Sequence, residues 1–317
     1  MSLDKSYLEY PHRSYGMDHD LYDWSMLVDR PPVAWPEGKR LALWVNVSLQ
    51  HFPLDQRGEP FPPPGGMTTS YPDLRHYTLR DYGNRVGVFR VFEALDRCGV
   101  TASCAINACL VARAPWLLRR VVERGHEVIA HGWDMDTPHY GGMDPDEESA
   151  VIARTLSTLR DATDQPVRGW LSPGKSQSGN TPALLVEHGV EYMCDWINDD
   201  LPFAFRTPRG DITAMPLSTE LEDRFIIMAN GHSEQEYADQ LIDACDFLVG
   251  EAGEEGGRML ALNLHPWVVG QPHRIGALER ALAHIMASDA VWSASPSSIR
   301  AAWRESGMPR DAAGPGS

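Results

Sequence analysis

Apolar runs alternate with helical patterns along most of the chain. Leu41–Leu49 reads Leu-Ala-Leu-Trp-Val-Asn-Val-Ser-Leu, a nearly continuous apolar run that is typical of a strand buried on both faces. Residues 86–97 then show apolar positions at helical spacing, and the pattern stops at Gly99, which predicts a helix. Because this alternation recurs about seven times, it predicts βα units around a parallel sheet and favours a barrel over an open sheet.

Further elements follow from the same patterns. Strands are predicted at residues 100–107, before His131, and at 167–171, 190–196, 213–217, 259–264 and 291–294. Helices are predicted at residues 115–124, 144–162, 181–188, 234–251, 276–286 and 296–303. The helix that begins near Asp144 has a capping residue, a proline in its first turn and acidic residues near its positive end.

Three segments lie outside this regular pattern. Residues 1–38 are rich in Tyr, Trp and Pro and predict an aromatic arm that packs on the main domain, with a neighbouring subunit as the alternative. A Pro- and Gly-rich loop from His51 to about Asp81 is expected to act as a lid or a subunit contact. Residues 39–305 are interpreted as one domain, and residues 306–317 as a flexible tail.

Composition and charge indicate which binding partners and which cellular compartment to expect. The 317 residues carry a formal net charge of −16, which argues against binding to nucleic acid or to an anionic membrane. The cysteines number five, an odd count, and include no C-x-x-C pair, so the sequence indicates neither a disulfide framework nor a zinc knuckle, which fits a reduced cytoplasm. The first residues have no apolar signal region, and no apolar run reaches the roughly 18 residues of a membrane span. A cytoplasmic location is therefore expected.

Polar clusters directly follow five of the predicted strands. In a parallel barrel these carboxyl ends converge on one mouth, so residues far apart in sequence become neighbours. The clusters are Gln50-His51, His131-Gly-Trp133, Ser172-Pro-Gly174, Asp195-Trp196 with Asn198-Asp-Asp200, and His265-Pro-Trp267. Together they predict a functional site, although each one alone is also typical of an ordinary strand end.

Several of these segments resemble a known family. The chain is similar to the polysaccharide deacetylase (NodB-homology) superfamily, and within it to the metal-independent allantoinases and cyclic imide hydrolases. The matching segments are Tyr82-Gly-Asn-Arg-Val-Gly-Val, Glu127-Val-Ile-Ala-His-Gly-Trp, Arg168-Gly-Trp-Leu-Ser-Pro-Gly, Cys194-Asp-Trp-Ile-Asn-Asp-Asp-Leu-Pro, and Leu264-His-Pro-Trp with Gly270-Gln-Pro-His-Arg. The resemblance implies a distorted (β/α)7-type barrel and hydrolysis of an amide bond.

The chain departs from the family at the metal site. A typical metal-dependent member has two Asp residues after the first strand, where this chain has Gln50-His51, and its second histidine position falls on Met135. His51, His131, Asp136 and His139 could still bind zinc or another divalent ion. The sequence therefore leaves two alternatives open, one divalent metal or none.

Amide hydrolysis requires an activated water, a proton for the leaving nitrogen and donors for the oxyanion. His131 and His265 are the candidates for base and acid, and Asp195 could orient one of them or act as the base. Backbone N–H groups around Gly174 could bind the oxyanion. The candidate substrate-binding residues are Trp133, Trp170, Ser172, Gly174, Trp196, Asn198, Asp199, Trp267 and Arg274.

The expected function is hydrolysis of a small cyclic amide, imide or ureide. Two alternatives remain, a metal-dependent carbohydrate N-deacetylase and a non-catalytic binding protein on the same fold. A homo-oligomer, either a dimer or a tetramer, is expected from the aromatic arm and the family resemblance.

Overall fold

In the computed structural model, residues 19–56 and 74–306 are described. Predictions for residues 1–18 of the arm, for residues 57–73 of the long loop and for residues 307–317 of the tail lie outside the described residues. No helix in the described part is long and apolar enough to cross a membrane.

The strands confirm the predicted sheet, with several shorter than the sequence patterns indicate. They are β1 (Leu41–Leu49), β2 (Ala102–Ile106), β3 (Glu127–Ala130), β4 (Gly169–Trp170), β5 (Tyr192–Met193), β6 (Phe203–Thr207), β7 (Gly210–Ala214), β8 (Arg258–Leu264) and β9 (Val291–Ser293).

The helices alternate with these strands and cover the sheet. They are α1 (Leu74–Tyr82), α2 (Val88–Cys98), α3 (Leu110–Arg113), α4 (Pro115–Glu123), α5 (Pro145–Thr163), α6 (Thr181–Glu187), α7 (Glu234–Glu255), α8 (Ile275–Met286) and α9 (Pro296–Glu305). Two π-helical segments, Gly83–Gly87 and Arg224–Ala229, supplement them.

The sheet is parallel apart from one edge hairpin. Its order is β6-β7-β5-β4-β3-β2-β1-β8, and only the β6–β7 pair is antiparallel among the described strands. β1 is the central strand. One of its edges pairs with β8 along Leu41–Val47. Its other edge pairs with β9 at residues 41–43 and with β2 at residues 45–49. Because β1 to β5 and β8 run in one direction, their carboxyl ends open on the same side of the molecule.

Hydrophobic packing explains why β1 is a nearly continuous apolar run. All nine of its residues are buried, and Leu41, Leu43, Val45 and Val47 belong to the main apolar cluster under α2 and α8. Two polar residues interrupt the run, and both are satisfied inside the sheet. The Asn46 side-chain amide donates to Asn263 Oδ1 at 2.8 Å, and so does the Ser48 hydroxyl.

The described part of the aromatic arm packs on the chain's own domain, as predicted. Trp35 is buried and donates its indole N–H to the Arg258 carbonyl at 2.8 Å. Tyr22 packs against Phe203 and Trp196, with ring centroids 5.1 and 5.9 Å away. These contacts bury aromatic surface that would otherwise face water.

Two predictions about the fold are wrong. Residues 74–82 were expected to be loop but form helix α1, in which Arg80 packs on the rings of Phe52 and Trp267. Strand β6 was not predicted, because Phe203–Thr207 carries an arginine and the turn to β7 consists of Pro208 and Arg209. β6 lies at the sheet edge, where only Phe205 of its five residues is fully buried and the apolar pattern is weak.

Candidate active site

A cavity of about 350 Å³ lies at the carboxyl ends of the parallel strands. Its polar lining comes from five strand ends and from the segment after β7. These polar residues are Ser48, Gln50, His131, Ser172, Lys175, Asp195, Thr219, Glu222, Arg224, Asn263 and His265. The three predicted catalytic residues, His131, Asp195 and His265, are therefore brought together.

His265 follows β8 and is held by Asp223. Its ring Nδ1 lies 2.7 Å from Asp223 Oδ1, and its backbone N–H donates to Asp223 Oδ2 at 2.8 Å. Since a carboxylate only accepts, Nδ1 donates to Asp223, which leaves Nε2 as the second ring nitrogen, 3.7 Å from Glu222 Oε1. Burial raises the pKa of Asp223, and the contact with His265 opposes that rise. The pair has the geometry of an oriented general base.

Glu222 is the neighbouring carboxylate and lies almost fully buried among cations. Its oxygens lie 3.0 Å from Arg224 Nε, 3.7 Å from His265 Nε2 and 3.8 Å from Lys175 Nζ. Burial alone would raise the pKa of Glu222, but His265, Arg224, Lys175 and a hydrogen bond from Asn263 outweigh it and lower the pKa. A carboxylate with a lowered pKa is a weak base, so Glu222 is suited to stabilising positive charge on His265.

His131, at the end of β3, is fixed in its neutral form. Burial lowers its pKa to about 4, and the nearby His265 and Arg224 add to this effect. Nδ1 lies 2.7 Å from the Leu171 carbonyl and therefore donates to it, which leaves Nε2 to accept from the Gln50 side-chain amide at 3.2 Å. At neutral pH His131 can therefore accept hydrogen bonds at Nε2 but has no proton to give there.

Asp195 does not orient either histidine. Its carboxylate accepts from the Ser172 backbone N–H at 2.8 Å, from the Ser172 hydroxyl at 2.7 Å and from Gln177 Nε2 at 2.6 Å. Burial raises its pKa, and these donors oppose the rise. The sequence suggested that Asp195 could orient a histidine, and this prediction is wrong. Asp223 has the orienting role, whereas Asp195 holds the ends of β4 and β5 together.

Lys175 places an ammonium group at the cavity. Nζ donates to the Leu217 carbonyl and the Thr219 hydroxyl, both at 2.7 Å. Burial lowers the pKa of Lys175, although Glu222 and Asp195 oppose the shift. Sequence reasoning considered only backbone N–H groups here, and the Lys175 N–H is engaged by the Ser172 carbonyl at 2.9 Å. The side chain is thus the better donor for a developing oxyanion.

The segment that supplies Glu222, Asp223 and Arg224 was missed by sequence reasoning. It does not directly follow a strand, as the five clusters do, but lies several residues beyond β7. The sequence offered one signal, an acidic pair directly before Arg224 and the apolar run Phe225–Met228. In the structure, Asp223 caps this π-helical segment by accepting from the Arg224 N–H at 2.7 Å. Burial of Ile226 and Ile227 anchors the segment against the core.

The four tryptophans predicted to wall the site lie elsewhere. Trp170 and Trp267 are buried in the core. Trp133 stacks against Arg154, whose Cζ lies 3.4 Å from the centroid of the tryptophan ring. Trp196 packs on Tyr22 and Phe205. Trp170 still contacts the site indirectly, because its indole N–H donates to the Ser172 hydroxyl at 2.9 Å.

Three other predicted substrate-binding residues also lie outside the cavity. Asn198 and Asp199 line a second cavity of about 390 Å³ beside the aromatic arm, where Asp199 pairs with Arg30 at 2.7 Å. Arg274 contacts Met228 and the Val268 carbonyl. Ser172 and Gly174 do line the cavity, and Gly174 has φ +66, which favours glycine.

Comparisons with known proteins agree with this architecture. Residues 76–193 match the family model described as polysaccharide deacetylase. A Schizosaccharomyces pombe protein named a polysaccharide deacetylase is 25% identical over 243 residues, which cover 70% of this chain and 74% of the relative. The family resemblance inferred from the motifs is thereby confirmed.

Two solved structures are similar to most of this chain. A Pseudomonas aeruginosa PAO1 protein described as a probable polysaccharide deacetylase is 26% identical, with a TM-score of 0.78, covering 87% of this chain and 95% of that one. The PuuE allantoinase is 25% identical, with a TM-score of 0.79, covering 89% and 98%. The predicted distorted barrel of the NodB type is confirmed.

The divalent metal that typical family members use does not fit the donor set of this chain. Among residues 19–56 and 74–306, no three His, Cys, Asp or Glu side chains are grouped to hold a metal ion. His131 uses both ring nitrogens on protein partners, and His139 is buried against Glu148, with Nδ1 2.8 Å from Oε1. His51 and Asp136 do not line the cavity. The four predicted ligands are therefore not assembled into a metal site among the described residues.

Proposed function

We propose that the cavity hydrolyses a C–N bond of a small cyclic amide, imide or ureide. The observation that carries the proposal is the His265–Asp223 pair, with His265 and Lys175 both lining the same cavity. A cavity of about 350 Å³ is the size of a small-molecule site and suits one ring better than a polymer chain.

In this mechanism, His265 Nε2 takes a proton from water while the water oxygen attacks the amide carbon. The imidazolium that forms is stabilised by Asp223 on one nitrogen and by Glu222, 3.7 Å from the other. The Lys175 ammonium faces the negative charge that develops on the carbonyl oxygen. The C–N bond then breaks as His265 returns its proton to the leaving nitrogen. The products are a free N–H group and a carboxylic acid, which releases the remaining water proton to solvent and becomes a carboxylate.

Neutral His131 has a different part in this scheme. Because its Nε2 accepts from the Gln50 amide, the two side chains hold each other in fixed orientations at the cavity. The Gln50 side-chain oxygen Oε1 can then accept a hydrogen bond from a ring N–H. The pair is suited to reading the amide edge of a substrate, and it does not supply the acid.

A carbohydrate N-deacetylase is the second candidate, because the S. pombe relative and the P. aeruginosa structure carry the name polysaccharide deacetylase. The same chemistry at an acetamide carbonyl would release acetate. The testing experiment offers the protein allantoin, hydantoin, dihydrouracil, succinimide and N-acetylated sugars, each with added zinc and with a chelator.

Ring opening that survives chelation supports the proposal. Acetate release from the sugars with no ring opening favours the deacetylase, and zinc-restored activity after chelation contradicts the metal-free mechanism. No turnover of any compound leaves a binding protein on this fold as the explanation.

A further inference from the structure

The guanidinium of Arg224 lines the active-site cavity and remains partly open to it. Its side chain is 39% exposed, and its Nε donates to Glu222 Oε1 at 3.0 Å. Within residues 19–56 and 74–306, no acceptor binds its two terminal nitrogens. A guanidinium presents these nitrogens as a planar fork that matches the two oxygens of a carboxylate.

Two permanent cations lie near Glu222, Arg224 at 3.0 Å and Lys175 at 3.8 Å. Lys175 also donates to the Leu217 carbonyl and the Thr219 hydroxyl, and it faces Asp195. Arg224 differs, because Glu222 is its one side-chain partner among the described residues and only its Nε is used there. A partly exposed guanidinium with this single contact favours an anionic ligand.

Arg224 is also placed beside the reacting groups. It directly follows Asp223, whose carboxylate holds both the ring and the backbone of His265 and accepts from the Arg224 N–H. A group bound by Arg224 would therefore lie next to the carbon that His265 activates water to attack. A contact with Arg224, in addition to the contacts at the reacting carbonyl, would fix the orientation of the substrate ring and so lower the activation free energy of hydrolysis.

We propose that the substrate carries a carboxylate beside its cyclic amide, and that the terminal nitrogens of Arg224 bind that carboxylate. The inference rests on the proposed function, because it names the substrate class of the same cavity. Arg224 is then the residue that sets specificity, while Lys175 serves the carbonyl oxygen.

The test measures binding of ring pairs that differ by one carboxylate. Suitable pairs are dihydrouracil with dihydroorotate, hydantoin with hydantoin-5-acetate, and succinimide with 3-carboxysuccinimide. Dissociation constants are measured by calorimetry for the wild type, Arg224→Gln, Arg224→Lys and the control Arg280→Gln. Arg280 is an exposed arginine, paired with Asp239 at 2.8 Å on the helical surface, so its substitution makes the same change in net charge away from the cavity.

The wild type is expected to bind the carboxylate member of at least one pair about tenfold or more tighter than its neutral partner, as a charge-assisted contact predicts. Arg224→Gln should abolish that preference, Arg224→Lys should keep part of it, and Arg280→Gln should keep it in full. Equal binding of both members by the wild type, binding of neither, or an equal loss for both in Arg224→Gln would overturn the inference.

Turnover, measured separately, distinguishes this inference from the proposed function. A carboxylate preference in binding with no ring opening would refute the hydrolase and leave the anion site standing. Ring opening of neutral compounds without any carboxylate preference would support the hydrolase and refute the anion site.

Discussion

Asp223 binds His265 twice, through the ring Nδ1 at 2.7 Å and through the backbone N–H at 2.8 Å. The two contacts fix both the tautomer and the direction of the imidazole. An asparagine at position 223 could accept only one of these hydrogen bonds, and its amide group would favour the wrong tautomer.

Asp223→Asn should therefore lower kcat by about 10²- to 10⁴-fold with little change in KM, because a misoriented base costs the chemical step more than binding. Steady-state kinetics on the best ring substrate check this. Asp246→Asn is the matched control, since Asp246 makes the same kind of contact with His284 at 2.9 Å on the exposed surface. Equal kinetics for Asp223→Asn and the control would refute the role of Asp223.

Lys175 should impose an alkaline limit on the reaction. Burial lowers its pKa below 10.5, so the ammonium form is present at lower pH and is lost as pH rises through that lowered pKa. The kcat of the wild type should therefore fall as pH rises into the alkaline range. Lys175→Gln should have a low kcat that does not show this alkaline decrease. Lys39→Gln, at a lysine bound only to the Asp289 carbonyl among the described residues, is the control. An unchanged alkaline limb in Lys175→Gln would show that another group titrates there.

The strand ends could be predicted from the sequence because each polar residue stands directly after an apolar run. His131, Ser172, Asp195 and His265 all line the cavity for this reason. Glu222 and Asp223 could not be placed, because their position depends on how the segment after β7 folds back over the sheet. That fold depends on long-range packing of Ile226 and Ile227, which leaves no periodic signal at the acidic pair.

The tryptophans show the converse limit. A tryptophan beside a motif residue is equally compatible with the cavity and with the core, since strand side chains alternate between two faces. Alternation would place Trp170 and Ser172 on the same face, but β4 ends at Trp170; Trp170 is fully buried in the core, whereas Ser172 lies beyond the strand and lines the cavity. Sequence patterns predicted where the site lies along the chain but could not assign which side chains face it.

Because His131 is buried in its neutral form, the free energy of unfolding should depend on pH in the acidic range. The pKa of His131 is lowered from 6.5 to about 4, so between these values the unfolded chain binds more protons than the folded one. The free energy of unfolding should therefore rise with pH across this window, and the single site accounts for about 3 kcal/mol of that rise.

Chemical denaturation from pH 4 to pH 7 measures this effect. His131→Gln should flatten the dependence, although His51, whose pKa burial also lowers to about 4, keeps part of it. The exposed His284→Gln is the control and should leave the slope unchanged. A wild-type slope that persists in full in His131→Gln would contradict the assignment.

The buried pair of His139 and Glu148 should stabilise the two loops that carry the site. Glu148 also accepts from Ser178 at 2.5 Å and from Thr181, so it joins the loop after β3 to the start of α6. Glu148→Ala would leave these donors buried without an acceptor, and should lower the free energy of unfolding by about 3 kcal/mol or more.

Urea denaturation compares this variant with Glu147→Ala, at the exposed neighbouring position, which should change the free energy of unfolding by less than about 1 kcal/mol. Losses of equal size in the two variants would show that the Glu148 cluster contributes no particular stability.

The central claim is that His265 activates water for C–N hydrolysis in this cavity. It is tested most directly by kcat/KM for ring opening by the wild type and by His265→Gln, with the open-chain product followed by NMR and folding confirmed by the unfolding midpoint. We expect the wild type to open at least one cyclic amide and the folded variant to lose about 10²-fold or more of that activity. Ring opening at the wild-type rate by His265→Gln would contradict the account.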